Sequence, residues 1–240
     1  MILELRDVSK SFGAVIAAEA IALDVAEGEA LGVIGPNGAG KSTLFSLISG
    51  ALAPSAGRVL LDGVDVTRAS MQQRCHAGIG RSHQIPAPFE KLTVFENLMV
   101  AACFGQGKRE AEVVESCGEI LETTGLLDKA NRLAGALPLL DRKRLEMARA
   151  LATRPRLLLL DEIAGGLTEG ECQELVAAIR KIHAAGTTII WIEHIVHALV
   201  AAVDRIVVLA GGAFIADGKP ETVVAHPRVA EIYMGIPASD

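Results

Sequence analysis

The chain has 240 residues, half of them hydrophobic, and a formal net charge of -6. That length suffices for one sizeable core or for a core plus a small appended subdomain. The acidic balance argues against a broad nucleic-acid-binding face, and eight aromatic residues are too few for base-stacking platforms.

Mean hydropathy is +0.38, yet every apolar run is cut by a charge or a glycine well short of the ~18 to 20 residues that a membrane span needs. Cys75, Cys103, Cys117 and Cys172 are widely spaced and form no C-x-x-C pair, so they read as reduced thiols and not as a zinc or disulfide framework. The opening "MILELRDVSKSFG" places Glu4 and Asp7 where a secretory leader has a basic-then-apolar layout, which predicts a cytoplasmic protein.

In chain order, "LELRDVSKSF" and "AIALDVAEG" alternate apolar and polar residues, as does the later "RVLLDGVDV". All three are expected to be antiparallel strands packed on a core. Between them, "ALGVIG" and "PNGAGKSTLFSLISGAL" give strand, glycine-rich loop and helix in the order a phosphate-binding loop requires. The pattern G-x-x-x-x-G-K-[ST] is filled by Gly35, Gly40, Lys41 and Ser42. Glycines let such a loop turn its N–H groups inward, the helix adds its positive end, Lys41 reaches the β/γ-phosphates and Ser42 holds magnesium. A nucleoside triphosphate is the expected ligand; the plain alternative is a glycine turn before an amphipathic helix.

The segments "VFENLMVAACF", "KREAEVVESCGEILETTG" and "DRKRLEMARALAT" have helical amphipathic spacing. In "LLLLDE" four leucines read as a strand buried on both faces, with Asp161 and Glu162 emerging at its end. Asp161 would orient a magnesium shell and Glu162 polarise the attacking water. Alone, such an acidic pair is also ordinary loop chemistry. Helix "ECQELVAAIRKIHAAG", strand "TTIIWIEH", helix "IVHALVAAV" and strands "RIVVLAGG" and "AFIADG" follow. Strands alternating with helices predict an α/β fold with a mostly parallel sheet.

Taken together, "GPNGAGKST", the glutamine of "GIGRSHQIPAPFEKLTVFENLMVAA", "LLLLDE" and the histidine closing "TTIIWIEH" resemble the ATP-binding cassette ATPases over essentially the whole chain. The resemblance implies a P-loop NTPase (RecA-like) core with an N-terminal antiparallel β subdomain and an inserted α-helical subdomain. Residues 1–240 would form one ATPase domain, with the core in 1–84 and 155–240 and the helical subdomain in 85–154. It implies that ATP is bound by Phe12, Gly35, Pro36, Asn37, Gly38, Ala39, Gly40, Lys41, Ser42 and Thr43, with Mg2+ held by Ser42, Gln84 and Asp161. Glu162, His194 and Gln84 would serve hydrolysis, Gln84 sensing magnesium and His194 contacting the γ-phosphate. Read alone, Gln84 and His194 are ordinary surface residues, and Phe12 is either an adenine-stacking ring or a core plug. His197 belongs to the surface class.

The phrases "LTVFENLMVA", "RLEMARALATRPRLLLLDE" and "IVVLAGGAFIADGKPETVVAHPRVAEIYMG" resemble the longer of the two ATPase subunits of branched-chain amino-acid importers. That resemblance implies a second ATPase subunit as partner, in a heterodimer or a homodimer, and two membrane-spanning permease subunits contacted through the helical subdomain. A periplasmic binding protein would deliver the solute. The location implied is peripheral, on the cytoplasmic face of the inner membrane, with no nucleic acid bound. Two competing classes are a soluble cassette protein acting on nucleic acid or ribosomes and a nucleotide-dependent regulator with weak hydrolysis.

The sequence departs from this family at its signature, where Leu137, Pro138, Leu139, Leu140 and Asp141 stand. The signature is implied to offer a helix N-terminus to the partner's ATP. Leu139 replaces an aromatic residue and Leu140 a glycine. Where φ must be positive, leucine costs about 1 to 2 kcal/mol; at helical φ only side-chain crowding remains. Arg142, in place of glutamine, would add a positive charge toward phosphate. Slower hydrolysis at the partner's site is therefore expected. Ile163 replaces a usual proline and Thr168 a usual aspartate.

Overall fold

The computed structural model describes residues 1–234. Two sheets and a helical unit make up the fold. Strands β1 (Leu3–Phe12), β2 (Val15–Val25), β4 (Ala56–Leu61) and β5 (Val64–Asp65) form an antiparallel sheet in the order β2-β1-β4-β5. The predicted strand "RVLLDGVDV" is thus a hairpin, turned at Asp62 and Gly63, both at positive φ, as a tight two-residue hairpin turn requires.

The second sheet contains β3 (Ala30–Ile34), β6 (Ile79–Arg81), β7 (Leu157–Asp161), β8 (Thr188–Ile192), β9 (Arg205–Ala210) and β10 (Ala213–Gly218) in the order β10-β9-β3-β8-β7-β6. All its pairings are parallel except β9 with β10, which is antiparallel. Every residue of β3, β7 and β8 is buried, which is why these strands read as unbroken apolar runs. Each of the four leucines Leu157 to Leu160 is fully buried and stabilises the fold by about 2 kcal/mol.

Helix α1 (Lys41–Ser49) lies between the two sheets. Its C-terminal end is held by Arg74 of α2 (Met71–His76). That guanidinium donates to the carbonyls of Leu47 at 2.6 Å and Ile48 at 2.8 Å, and also to Ala69 and Thr67. The helix that carries the phosphate loop is thereby fixed at its far end.

On the opposite face of the parallel sheet pack α6 (Glu169–Ala184), α7 (Val196–Val200), α8 (Pro220–Val224) and α9 (Pro227–Met234). Between β6 and β7 the chain makes α3 (Val94–Gln106), α4 (Glu110–Thr124) and α5 (Leu139–Ala152), which enclose a separate cluster around Leu98, Cys117 and Leu121. Helix α5 is buried on two sides. Leu145, Ala148 and Ala152 face the helical cluster, whereas Leu140, Met147 and Ala150 face the main core. Thr93 and Thr168 start α3 and α6 with reciprocal side-chain caps from Glu96 and Glu171, which satisfy otherwise orphaned N–H groups.

Candidate nucleotide-hydrolysing site

The phosphate loop runs from the end of β3 to the start of α1. Gly35 and Gly40 are demanded by close backbone approach on both sides. A Cβ on Gly35 would lie 2.1 Å from the Leu209 carbonyl of β9, and one on Gly40, at φ 105, would lie 2.2 Å from the Ala17 carbonyl of β2. No side chain caps α1, so its first N–H groups are open to an anion. The buried Lys41 ammonium folds back onto the carbonyls of Gly35 at 2.7 Å and Pro36 at 3.1 Å. Burial pushes its pKa below the ordinary lysine value, while the carboxylates of Glu162 and Asp161 oppose that shift. The charged form is favoured further whenever phosphate oxygens approach.

A pocket of about 230 Å³ surrounds the loop. It is lined by Asn37, Gly38, Ala39, Gly40, Lys41, Ser42 and Thr43, by Glu162, and by Val15, Ile16 and Ala17 of β2. The last three were missed from the sequence. The available signal was an apolar pair just past the Gly13 turn, where a strand at the surface would otherwise be polar. Phe12 pairs with Val15 across that turn and is half exposed, with the Lys10 ammonium 5.3 Å from its ring centroid. It borders the pocket through Val15 and does not line it.

The parallel sheet brings the remaining candidates to one end. Asp161 closes β7, and its carboxylate meets Arg81 of the neighbouring β6 at 3.0 Å. Arg81 also donates to Ser49 at 3.1 Å and Ser46 at 3.4 Å of α1. This link was missed too, although an arginine at a strand end three residues before the glutamine was visible. The Ser82 hydroxyl accepts the Asp161 N–H at 3.3 Å.

Glu162 follows at φ 44, a left-handed conformation that costs a non-glycine residue about 1 to 3 kcal/mol. Its N–H donates to the Ile192 carbonyl at 2.9 Å, and its carboxylate accepts from the Gln84 amide at 2.5 Å. His194 stands half exposed after β8, its Nδ1 3.6 Å from the buried Glu193 carboxylate. Glu193 accepts N–H bonds from Ala164 at 2.7 Å and His194 at 3.2 Å, and burial pushes its pKa up against those bonds.

Ser42, Gln84, Asp161 and Glu162 present oxygens of the kind that a small hard divalent cation takes. Among the described residues no group of three His, Cys, Asp or Glu side chains is arranged to hold a metal. A cation here therefore needs the serine and amide oxygens together with those of a bound nucleotide.

At the start of α5 the structure decides between the two backbone cases for Leu140. Leu140 is not among the residues at positive φ and lies within the helix, so no backbone strain arises there. Its side chain is 8 % exposed and turned into the main core. Asp141 is also turned inward, paired with Lys129 at 2.8 Å and Arg144 at 3.7 Å, and Leu137 is buried in the helical cluster. These side chains offer nothing outward; the open groups are the backbone N–H of the first turn and the half-exposed Leu139. Leu139 instead comes within reach of Gly166.

Arg142 does not reach toward a phosphate. Its guanidinium donates to the carbonyls of Leu137 at 2.9 Å and Gly135 at 2.7 Å. Ile163 is fully buried in the main core, and Thr168 is the N-cap of α6.

Residues 18–165 match the ABC transporter family. The branched-chain amino acid transport ATP-binding protein BraF of Pseudomonas aeruginosa is 36 % identical, covering 98 % of each chain. The corresponding protein LivG of Escherichia coli is 34 % identical, also covering 98 % of each. Among solved structures, the ADP conformation of MJ1267, an ATP-binding cassette of an ABC transporter, superposes with a TM-score of 0.90 at 32 % identity, covering 98 % of this chain and 99 % of that one. Phosphate loop, acidic strand end and full-length likeness agree: the chain belongs to the ABC transporter family and is an ATPase coupled to transmembrane transport.

Proposed function

We propose that this ATPase powers the import of branched-chain or related amino acids. The observation that carries the proposal is the end-to-end likeness to transport ATP-binding proteins of that class, shared by a chain whose phosphate loop, Gln84, Asp161 and Glu162 meet at one sheet end. Its partners are a second cassette ATPase, different from or identical to this chain, and two membrane-spanning subunits fed by a periplasmic binding protein. Among the described residues no helix is long and apolar enough to cross a membrane. With those partners the chain works from the cytoplasmic face of the inner membrane.

A groove of about 700 Å³ on α3 and α4, lined by Phe95, Met99, Val100, Phe104 and Val114, suits a membrane subunit's coupling helix. Phe104 and Val114 are exposed apolar residues there, and burying them against a partner is favourable.

The geometry supports the following course of hydrolysis. ATP phosphates occupy the loop and draw Lys41 from the Gly35 and Pro36 carbonyls, while Phe12, Val15 and Ile16 meet the base. Water attacks the γ-phosphorus, the bond to the β–γ bridging oxygen breaks with its electron pair leaving on ADP, and the water proton passes to Glu162. Gln84 orients that carboxylate through its amide, and His194 supports the γ-phosphate by a hydrogen bond. Ser42, Asp161 and Gln84 would hold Mg2+, which when bound would supply charge neutralisation on the phosphates.

The first-turn N–H groups of Leu139, Leu140 and Asp141 face the partner's ATP, and the helical φ of Leu140 leaves them as well formed as a glycine would. The strain-based ground for slower hydrolysis at the partner's site is thereby removed. The regulator reading gains nothing either, since it rested on that same leucine.

Purification from native membranes tests the proposal. A second cassette ATPase and two polytopic subunits should accompany the chain, and proteoliposomes of that complex should take up labelled leucine only with ATP inside the catalytic compartment. Recovery of the chain alone or with ribosomes, or uptake that survives Glu162→Gln, would overturn it.

A further inference from the structure

Lys143 sits one turn after Leu139 in α5 and is 4 % exposed. An ammonium so placed must be hydrogen-bonded and charge-compensated. Its Nζ donates to the carbonyl of Gln84 at 3.0 Å and to the carbonyl of Glu162 at 3.3 Å. Those two residues are already joined through their side chains, so lysine, glutamine and glutamate close a triangle.

Glu162 is also one of the five non-glycine residues at positive φ among the described residues. Its N–H is pinned by Ile192 of β8, and its carbonyl accepts from Lys143 of α5 at 3.3 Å and, more loosely, from the Gly165 N–H at 3.5 Å. Without the ammonium, the peptide after Glu162 loses its charged anchor and keeps only the long bond from Gly165. On the other side, the buried Glu193 carboxylate holds the Ala164 N–H at 2.7 Å, two residues after Glu162. The segment 162–164 is thus gripped from both sides by buried groups of opposite charge.

We propose that Lys143 is a positioning residue of the hydrolytic site, fixing the Gln84 and Glu162 carbonyls so that the Glu162 carboxylate is seated for attack and moves only with α5. Misplacing a reacting group by about 1 Å costs on the order of a hundredfold in rate, whereas Lys143 is not among the residues that line the pocket around the phosphate loop. Loss of the ammonium should therefore lower kcat and leave nucleotide binding alone. Burial holds the Lys143 pKa below its ordinary value, with Glu193 and then Glu162 opposing, in keeping with a compensated buried ion. The inference rests on Glu162 as the water-activating group.

The test uses the full-length protein with its copurifying subunits and compares Lys143→Met, Lys143→Arg and Glu162→Gln for ATPase kcat, ATP affinity and melting. Lys143→Met should lower kcat at least tenfold with affinity within threefold of wild type. Lys143→Arg, whose guanidinium can serve both carbonyls, should restore kcat to within threefold. A smaller kcat loss in Lys143→Met, a parallel loss of affinity, or no rescue by arginine overturns the proposal. Hydrolysis unaffected by Glu162→Gln would instead sink the assignment of Glu162 on which it rests. Should Lys143→Met fail to melt cooperatively, combining it with Glu193→Gln removes both buried charges and is judged against Glu193→Gln alone by the same thresholds.

Discussion

Replacing Leu140 by glycine, the residue usual at this place in related signatures, should harm this protein. Leu140 is 8 % exposed and packed in the main core; truncating a buried leucine costs about 3 kcal/mol. Glycine within a helix costs about 1 kcal/mol more than leucine, for a total of about 4 kcal/mol. In a chain of this size that corresponds to a fall in Tm of roughly 8 to 16 °C. Urea unfolding followed by fluorescence measures it directly, because Trp191 is the single tryptophan and is buried in the cluster that holds Leu140. Leu139→Ala is the control. Leu139 is 44 % exposed, and its truncation should cost less than about 1 kcal/mol. A Leu140→Gly loss no larger than that of the control, or an ATPase accelerated at unchanged stability, would refute the placement of Leu140 in the core.

Gly40→Ala should abolish ATP binding in a nucleotide-displacement assay, since its Cβ would strike the Ala17 carbonyl at 2.2 Å; binding within tenfold of wild type would contradict this. Arg81→Leu leaves the buried Asp161 carboxylate without its 3.0 Å partner and should destabilise the nucleotide-free protein by about 3 kcal/mol in urea. Thr168→Ala removes the cap of α6 and should cost about 1 kcal/mol, with Thr168→Ser close to wild type. Burial pushes the Cys117 thiol up to about 11, so at pH 8 it stays protonated, with about one thiolate in a thousand. Mass spectrometry after brief iodoacetamide treatment should find Cys117 unlabelled until the protein is unfolded.

The phosphate loop and the acidic strand end were legible because each is a local pattern whose period or spacing survives in one stretch of chain. The parallel core was legible for the same reason, through the unbroken apolar runs of β3, β7 and β8. What crosses the sheet was not. Arg81 meets Asp161 across the β6 to β7 pairing, and Lys143 reaches Gln84 across fifty-nine positions. Neither neighbour can be named until strand order is known.

The signature was undecidable for a different reason. A glycine replaced by leucine costs strain only at positive φ, and Leu140, unlike Glu162, is not among the residues there. Arg142, likewise, has loop carbonyls at hand in Gly135 and Leu137, so its charge is spent locally.

Helix α5 belongs to two cores at once, and that has a consequence for amide exchange. Opening the helical unit alone would expose α3 and α4 to solvent deuterium while α5 stays shielded against the parallel sheet through Leu140, Met147 and Ala150. Its amides can then exchange only when the main core opens too. Of the three helices, α5 should be the last to take up deuterium.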